Sequence, residues 1–155
     1  KPMTTTITMT KEWPTLSKKK RKRRLMKKTI SSKTMNERSI FFCRGVFETV
    51  KKLGWMPEII HCHGWFSALM AVYQKTFYAD DPLFGDAKVV FSIYDESFDE
   101  TMDPRFIEKL KYDGIELEDA ELLANPSYDS WVKLAAKYSD GIVYGSEYVS
   151  DEIKN

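Results

Sequence analysis

Short apolar runs that alternate with helical segments constrain the fold of this 155-residue chain more than any other feature. The clearest run, 88–93 (KVVFSI), is rich in β-branched residues and predicts a strand. Shorter runs at 58–62 and 141–144 predict two more. Strand, helix and strand in succession predict βαβ units and an α/β fold with a parallel sheet. A nearly continuous apolar strand also predicts that both faces of the sheet are buried.

The segments around these strands have apolar residues at three- and four-residue steps, which predicts helices. In the first helix Lys51 and Lys52 suit the negative end of the helix dipole, and Gly54 follows as a left-handed cap. Ser146 is placed to cap the last helix. The aromatic residues of the helices and strands are expected in the core: Phe41, Phe42, Phe47, Phe91 and Trp131. The predicted helices are 37–53, 65–77, 104–112, 118–124, 128–138 and one after Ser146.

A sharp break in charge divides the chain at residue 33. Residues 1–33 contain twelve basic and one acidic side chain, and residues 34–155 contain twelve basic and twenty-two acidic ones. The first segment has few apolar residues and a run of seven like charges at 18–24, so it is predicted to be a disordered basic tail. An import signal, a nucleic-acid-binding arm and an error of gene prediction are the alternatives. Residues 34–155 are predicted to form the folded part.

The remaining composition indicates a reduced, cytoplasmic protein. Cys43 and Cys62 are the only cysteines, too few for a disulfide scaffold, and both are expected as small buried residues. No apolar stretch approaches the ~20 residues that a membrane span needs, and the start of the sequence lacks the apolar core of a signal peptide.

Three turns follow the predicted strands and are expected at one edge of the sheet, where parallel sheets bind ligands. They are 61–65 (HCHGW), 94–96 (YDE) and 145–146 (GS). The two histidines of the chain, His61 and His63, both lie in the first turn and point to the same side of an extended strand. His61 is expected as a buried, hydrogen-bonded strand-end residue, and His63 as a ligand contact beside the start of a helix.

A metal site is not predicted at these histidines. A protein site for zinc needs three or four ligands. Cys62 is adjacent but points to the opposite side, and Asp95 is the one further candidate. A cysteine–histidine catalytic pair is disfavoured for the same reason, and no cofactor is predicted.

Five runs of residues in unbroken order resemble bacterial glycogen (starch) synthase. Within them the His-x-His-x-Trp turn, His61 to Trp65, is the most specific. The runs are 36–53, 57–65 (PEIIHCHGW), 88–94 (KVVFSIY), 137–144 (KYSDGIVY) and 146–149 (SEYV).

This resemblance implies a Rossmann-like parallel sheet, the incomplete N-terminal half of a two-domain GT-B glycosyltransferase. It implies transfer of glucose from ADP-glucose to an α-1,4-glucan (glycogen or starch) with retention, without a membrane or nucleic-acid partner. His63 matches the family's cleft histidine, which contacts the donor sugar and supports the transition state. The implied substrate-binding residues are His61, Gly64, Trp65, Tyr94 and Asp95.

The sequence also departs from the family pattern. Gly64 stands where the family usually has aspartate, and Tyr94-Asp95 stands where His-Asn is common. An expected Asp-Asn pair falls at Thr34-Met35, and neither the Lys-x-Gly-Gly loop nor the second domain is found. The expectation is therefore an enzyme fragment that is inactive alone. A non-catalytic carbohydrate- or protein-binding remnant and a basic-tailed nucleic-acid-associated protein are the alternatives.

Overall fold

The computed structural model describes residues 6–9, 18–95, 103, 105–117, 127–147, 149 and 153, with side chains from residue 35 onward. A 3-10 helix at Trp65–Ser67 follows the second strand. The strands are β1 (Thr6–Met9), β2 (Ile59–His63), β3 (Lys88–Ile93) and β4 (Gly141–Tyr144). The helices are α1 (Lys18–Lys52), α2 (Leu69–Lys75), α3 (Phe106–Tyr112) and α4 (Tyr128–Lys137).

The described strands form one parallel sheet in the order β1-β2-β3-β4. Ile59 of β2 lies beside Lys88 of β3, and Val90 of β3 lies beside Gly141 of β4. Helices connect the strands, so each step along the sheet is a βαβ unit. The α/β prediction with a small parallel sheet is confirmed, and β3 and β4 have the predicted bounds.

Helix α1 ends where the sequence predicts. Gly54 has φ +67°, and its N–H donates to the carbonyl of Lys51. The next N–H, of Trp55, donates to the carbonyl of Val50 at 3.2 Å. This pair of bonds is the Schellman motif, which satisfies carbonyls that the end of a helix leaves free.

The structure differs from the expectation of a disordered segment over residues 1–33. Thr6–Met9 pairs with β2 as a parallel strand, and α1 begins at Lys18, well before the predicted start at residue 37. A strand at the edge of a sheet pairs through backbone groups and needs no apolar face of its own. Lysine and arginine are good helix formers, so a run of like charges does not by itself prevent a helix. Residues 1–5 and 10–17 lie outside the described residues.

One face of the sheet is buried and the other is more open. Ile60 and Cys62 of β2, with Val89 and Phe91 of β3, are buried on the first face. On the second face Val90 is partly exposed and Ser92 is buried, whereas β4 is exposed along most of its length. Burial on both faces therefore holds for only part of the described sheet.

The aromatic core is largely as predicted. Phe47, Phe91 and Trp131 are fully buried, and Phe42 is partly buried against them. Phe41 is 80% exposed, which corrects its assignment to the core. Helix α1 buries Ser39, Cys43, Phe47 and Val50, which lie on one face, and Phe41 falls between two of them on the outward side. Cys43 and Cys62 are both buried, as expected.

The remaining helix predictions are partly confirmed. The segment 65–77 forms the 3-10 helix and then α2, which ends at Lys75. α3 and α4 lie within their predicted ranges. The helix at 118–124 and most of the helix after Ser146 fall outside the described residues. Within the part of the chain that the structure describes, no helix is long and apolar enough to cross a membrane.

Candidate functional site

The three predicted turns meet at the carboxyl edge of the sheet. The N–H of Gly64 donates to the carbonyl of Ser92 at 3.1 Å, and the N–H of Gly145 donates to that of Ile93 at 2.7 Å. The N–H of Asp95 donates to Oγ of Ser146 at 2.9 Å. These bonds connect each turn to its neighbour, because β3 lies between β2 and β4. Glu96 lies outside the described residues.

The two histidines lie on the open face of the sheet with their rings together. The ring centroids are 4.0 Å apart, and the planes are inclined by 39°. Nε2 of His61 is 2.8 Å from Oγ of Ser92 on β3. His61 is therefore hydrogen-bonded as predicted, but it lies in the middle of β2 rather than at its end, and it is partly exposed rather than buried.

His63 has one partnered nitrogen and one free nitrogen. Its Nδ1 is 2.7 Å from the hydroxyl of Tyr94, and the two rings are stacked with centroids 6.1 Å apart. Its Nε2 is buried and has no hydrogen-bond partner among the described residues. An unsatisfied buried nitrogen in a native site needs an explanation, and a polar group of a ligand is one.

Burial lowers the pKa of His63 below its ordinary value of 6.5, and the neighbouring His61 lowers it further. Burial disfavours the charged imidazolium, and a second positive charge nearby repels it. His63 is therefore a neutral imidazole at pH 7, able to donate or accept one hydrogen bond at Nε2.

Gly64 and Trp65 shape the turn between β2 and α2. Gly64 has φ +69° and ψ 168°, a conformation that is essentially restricted to glycine. The local backbone therefore favours glycine at this position. Trp65 is partly buried against the core, and its carbonyl accepts a hydrogen bond from Nε1 of Trp131 at 2.8 Å. This hydrogen bond therefore connects α4 to the turn after β2.

Tyr94 and Asp95 form the second turn. Tyr94 is partly exposed, and its carbonyl accepts a hydrogen bond from the hydroxyl of Tyr128 at 3.0 Å. Asp95 is exposed at the edge. Sequence reasoning missed the supporting residues Ser92, Tyr128 and Trp131. Ser92 has a signal in the sequence, since it is the one polar side chain in the interior of an apolar strand.

A metal site is not supported in the described part of the chain. No group of three or more histidine, cysteine, aspartate or glutamate side chains is placed there to hold a metal ion. Cys62 points into the core on the face opposite to His61 and His63. The two imidazoles face each other and their hydrogen-bond partners instead.

We expect the pKa of His63 to rise towards its ordinary value when His61 is replaced by glutamine, because the electrostatic effect of His61 on His63 is removed while the effect of burial remains. Two ring signals in proton NMR, one for each histidine, make the titration directly measurable. Because the folded pKa lies below the unfolded one, the unfolded state binds more protons as pH falls through 6.5. The stability contributed by neutral His63 is therefore present above that pH and is lost on acidification.

Ser92→Ala is the matched control for this titration. It removes the hydrogen-bond partner of His61 but keeps the imidazole itself beside His63, so the pKa of His63 should remain low. A His63 signal that titrates at 6.5 or above in the unmodified chain would contradict the buried placement of its ring.

Comparison with known proteins identifies the family. Residues 15–155 match the family described as the starch synthase catalytic domain. Glycogen synthase of Chlorobaculum tepidum is 40% identical over 90 residues, which are 52% of this chain and 18% of the relative. Glycogen synthase of Clostridium perfringens is 34% identical over 121 residues, 76% of this chain and 24% of the relative. That of Chlorobium limicola is 47% identical over 58 residues, 37% of this chain and 12% of the relative.

The chain spans less than a quarter of the length of each of these relatives. No solved structure gave a significant match. The matched region begins at residue 15, so it includes α1 and every later strand of the sheet. It also includes all three turns of the carboxyl edge. The chain belongs to the starch synthase catalytic domain family.

Proposed function

We propose that the protein is a glucosyltransferase that transfers glucose from ADP-glucose to the end of an α-1,4-glucan with retention of configuration. The observation on which the proposal rests is His63, whose unpartnered Nε2 lies at the carboxyl edge of a parallel sheet. This chain would contribute one wall of the substrate cleft. The matched glycogen synthases and the absence of a membrane-spanning helix in the described part are compatible with a cytoplasmic enzyme.

In this proposal His63 contacts the donor sugar. A neutral imidazole can exchange hydrogen bonds with a sugar hydroxyl without adding charge to the cleft. The same group, fixed in position, stabilises charge that develops as the bond to the sugar breaks. His61, Gly64 and Trp65 form the wall beside it, and Tyr94 and Asp95 form the adjacent wall near the sugar or the acceptor.

The three turns contain no cation that could hold the phosphates of the donor. Neither lysine nor arginine occurs in 61–65, 94–96 or 145–146. Departure of ADP requires cations or backbone donors placed at its phosphates. Cations for the diphosphate must therefore come from outside these turns, and the turns themselves recognise the sugar end of the donor.

We expect the 155-residue chain to bind ADP-glucose weakly and to release no ADP. In NMR, added ADP-glucose should shift the ring signals of His63 more than those of His61. In a parallel assay with glycogen, ADP release should stay at background. Tyr112→Ala is a suitable control, because Tyr112 is 89% exposed on α3, away from the three turns.

Two outcomes contradict these expectations, the first the donor contact of His63 and the second the inactivity of the chain alone. If His63 signals do not respond to ADP-glucose at any soluble concentration, His63 is not a donor contact in this chain. If ADP is released steadily and the release disappears in His63→Ala, the chain is complete enough to catalyse and the phosphate argument is wrong.

The second candidate is a carbohydrate-binding remnant without catalysis. The absence of cations at the carboxyl edge favours it, since such an edge can bind sugar without activating a phosphate leaving group. The two candidates differ in their preferred ligand. A remnant would bind a maltooligosaccharide at least as tightly as ADP-glucose, and the ring signals of His63 would report both.

A further inference from the structure

Tyr94 contacts the other two turns of the carboxyl edge. Its hydroxyl is 2.7 Å from Nδ1 of His63, in the turn after β2. Its carbonyl is held by the hydroxyl of Tyr128 at the start of α4. The next N–H, of Asp95, is bonded to Ser146 in the turn after β4. The backbone around Tyr94 is thus held by Tyr128 and Ser146, and its hydroxyl is held by His63.

Gly145 leaves the space in which the Tyr94 ring lies. A Cβ atom added to Gly145 would be 2.7 Å from Cζ and 2.9 Å from Cδ1 of that ring, closer than carbon atoms pack without displacement. The backbone does not itself demand glycine here. Among the described residues, positive φ angles occur only at Gly54, Gly64 and Gly114. The ring of Tyr94 is therefore the reason that a side chain does not fit at position 145.

The hydrogen bond between Tyr94 and His63 has a preferred direction. The phenol hydroxyl has a single hydrogen, and among the described residues its partner is Nδ1 of His63. A phenol is a more acidic donor than a neutral imidazole N–H, so the hydroxyl donates and Nδ1 accepts. The hydrogen of the neutral ring is then on Nε2, the nitrogen that is buried without a partner.

We infer that Tyr94 and Gly145 are positioning residues for His63, which fix its ring orientation and keep its hydrogen on Nε2. In this arrangement His63 presents an N–H donor to an oxygen of the hexosyl group of a nucleotide sugar. The contact between this N–H and a sugar rests on the proposed function. The tautomer itself is a property of the free chain, so it can be tested without any sugar.

The test is nitrogen-15 NMR of the two histidine rings in the full chain, with His63→Gln used to assign the signals. In the unmodified chain, Nδ1 of His63 should have the shift of an unprotonated nitrogen that accepts a hydrogen bond. Tyr94→Phe removes the hydroxyl and should shift this signal to that of a nitrogen without such a bond. Gly145→Ala, which displaces the ring, should produce the same change.

Gly141→Ala, at the start of the strand that precedes Gly145, is the matched control. An added Cβ there would meet only Cγ2 of Val90, at an ordinary contact distance of 3.8 Å, so the His63 signals should not change. The thermal midpoint gives a second measurement. Gly145→Ala should lower the thermal midpoint of the unmodified chain. In a chain that also carries Tyr94→Ala, Gly145→Ala should not lower the midpoint further, because both substitutions act on the same contact.

The inference is overturned if the hydrogen of His63 is on Nδ1 in the unmodified chain, or if Tyr94→Phe leaves the ring signals unchanged. It is equally overturned if Gly145→Ala destabilises the chain to the same extent with and without the Tyr94 ring. Should Gly145→Ala fail to fold, Tyr94→Phe still decides, because it removes one oxygen and keeps the ring. If these results hold but ADP-glucose leaves His63 unaffected, the proposed function fails and the positioning inference stands.

Discussion

Replacement of Trp131 by alanine is expected to lower the free energy of unfolding by about 3–5 kcal/mol, the usual cost of truncating a buried tryptophan. Trp131 is fully buried in α4, and its ring centroid is 4.6 Å from that of Phe106 in α3. Its Nε1–H also donates to the carbonyl of Trp65. A domain of this size is stable by only about 5–15 kcal/mol. The variant should therefore lose much of its stability, and the turn that contains His63 should lose its support.

Urea denaturation followed by circular dichroism measures this loss. Trp131→Phe is the matched variant, because it keeps an aromatic ring beside Phe106 but removes the hydrogen bond to Trp65 and part of the ring volume. Its expected cost is smaller, about 1–3 kcal/mol, because the carbonyl of Trp65 still accepts a hydrogen bond from the N–H of Ala68. If the free energy of unfolding of Trp131→Ala lies within about 1 kcal/mol of that of the unmodified chain, α4 does not pack on the sheet as described.

Strands β2, β3 and β4 were predictable because their sequences allow few other structures, whereas β1 was not predicted. The run Lys88–Ile93 is short, β-branched and nearly all apolar, which suits a strand packed against a layer of helices. The end of α1 was equally clear, since Gly54 adopts the left-handed conformation that few other residues tolerate. The start of α1 was not, because a run of lysine and arginine fits both a helix and a solvated coil.

The meeting of the three turns at one edge of the sheet was predictable, but the contacts between their side chains were not. Parallel strands place their following turns at one edge, which is sufficient to bring His61, His63 and Tyr94 together. The partners of each imidazole depend on strand register, in which His63 lies beside Ser92. A shift of one residue would turn Ser92 away from both histidines. The sequence contains no feature that sets this register by itself, because it follows from the packing of α2 and α4 on the sheet.

The same limit explains why the contacts that Gly145 and Trp131 make at the site were not predicted. Neither residue has chemistry that suggests a role in binding. Gly145 matters because of the ring that lies against it, and Trp131 because of the carbonyl that it holds. Such roles become visible only when residues far apart in the sequence are placed in contact.

In a complete enzyme, His63→Ala is expected to reduce turnover by about 10²-fold or more, the range for loss of a positioned proton donor or acceptor. The assay needs a chimera in which residues of this chain replace the aligned segment of the Clostridium perfringens glycogen synthase, with which it shares 34% identity over 121 residues. ADP release with glycogen as acceptor gives the rate. The reduction should be in kcat as well as in kcat/KM, because the contact strengthens as charge develops in the transition state.

His61→Ala in the same chimera separates the roles of the two histidines. Nε2 of His61 is already bonded to Ser92, so its loss should affect the site indirectly, by less than the loss of His63. His63→Gln retains a polar group near the same position and should recover part of the rate if hydrogen bonding is the main contribution. A folded chimera in which His63→Ala keeps full turnover while His61→Ala abolishes it would reverse the assignment, since the catalytic contact would then belong to the histidine that the structure shows already partnered.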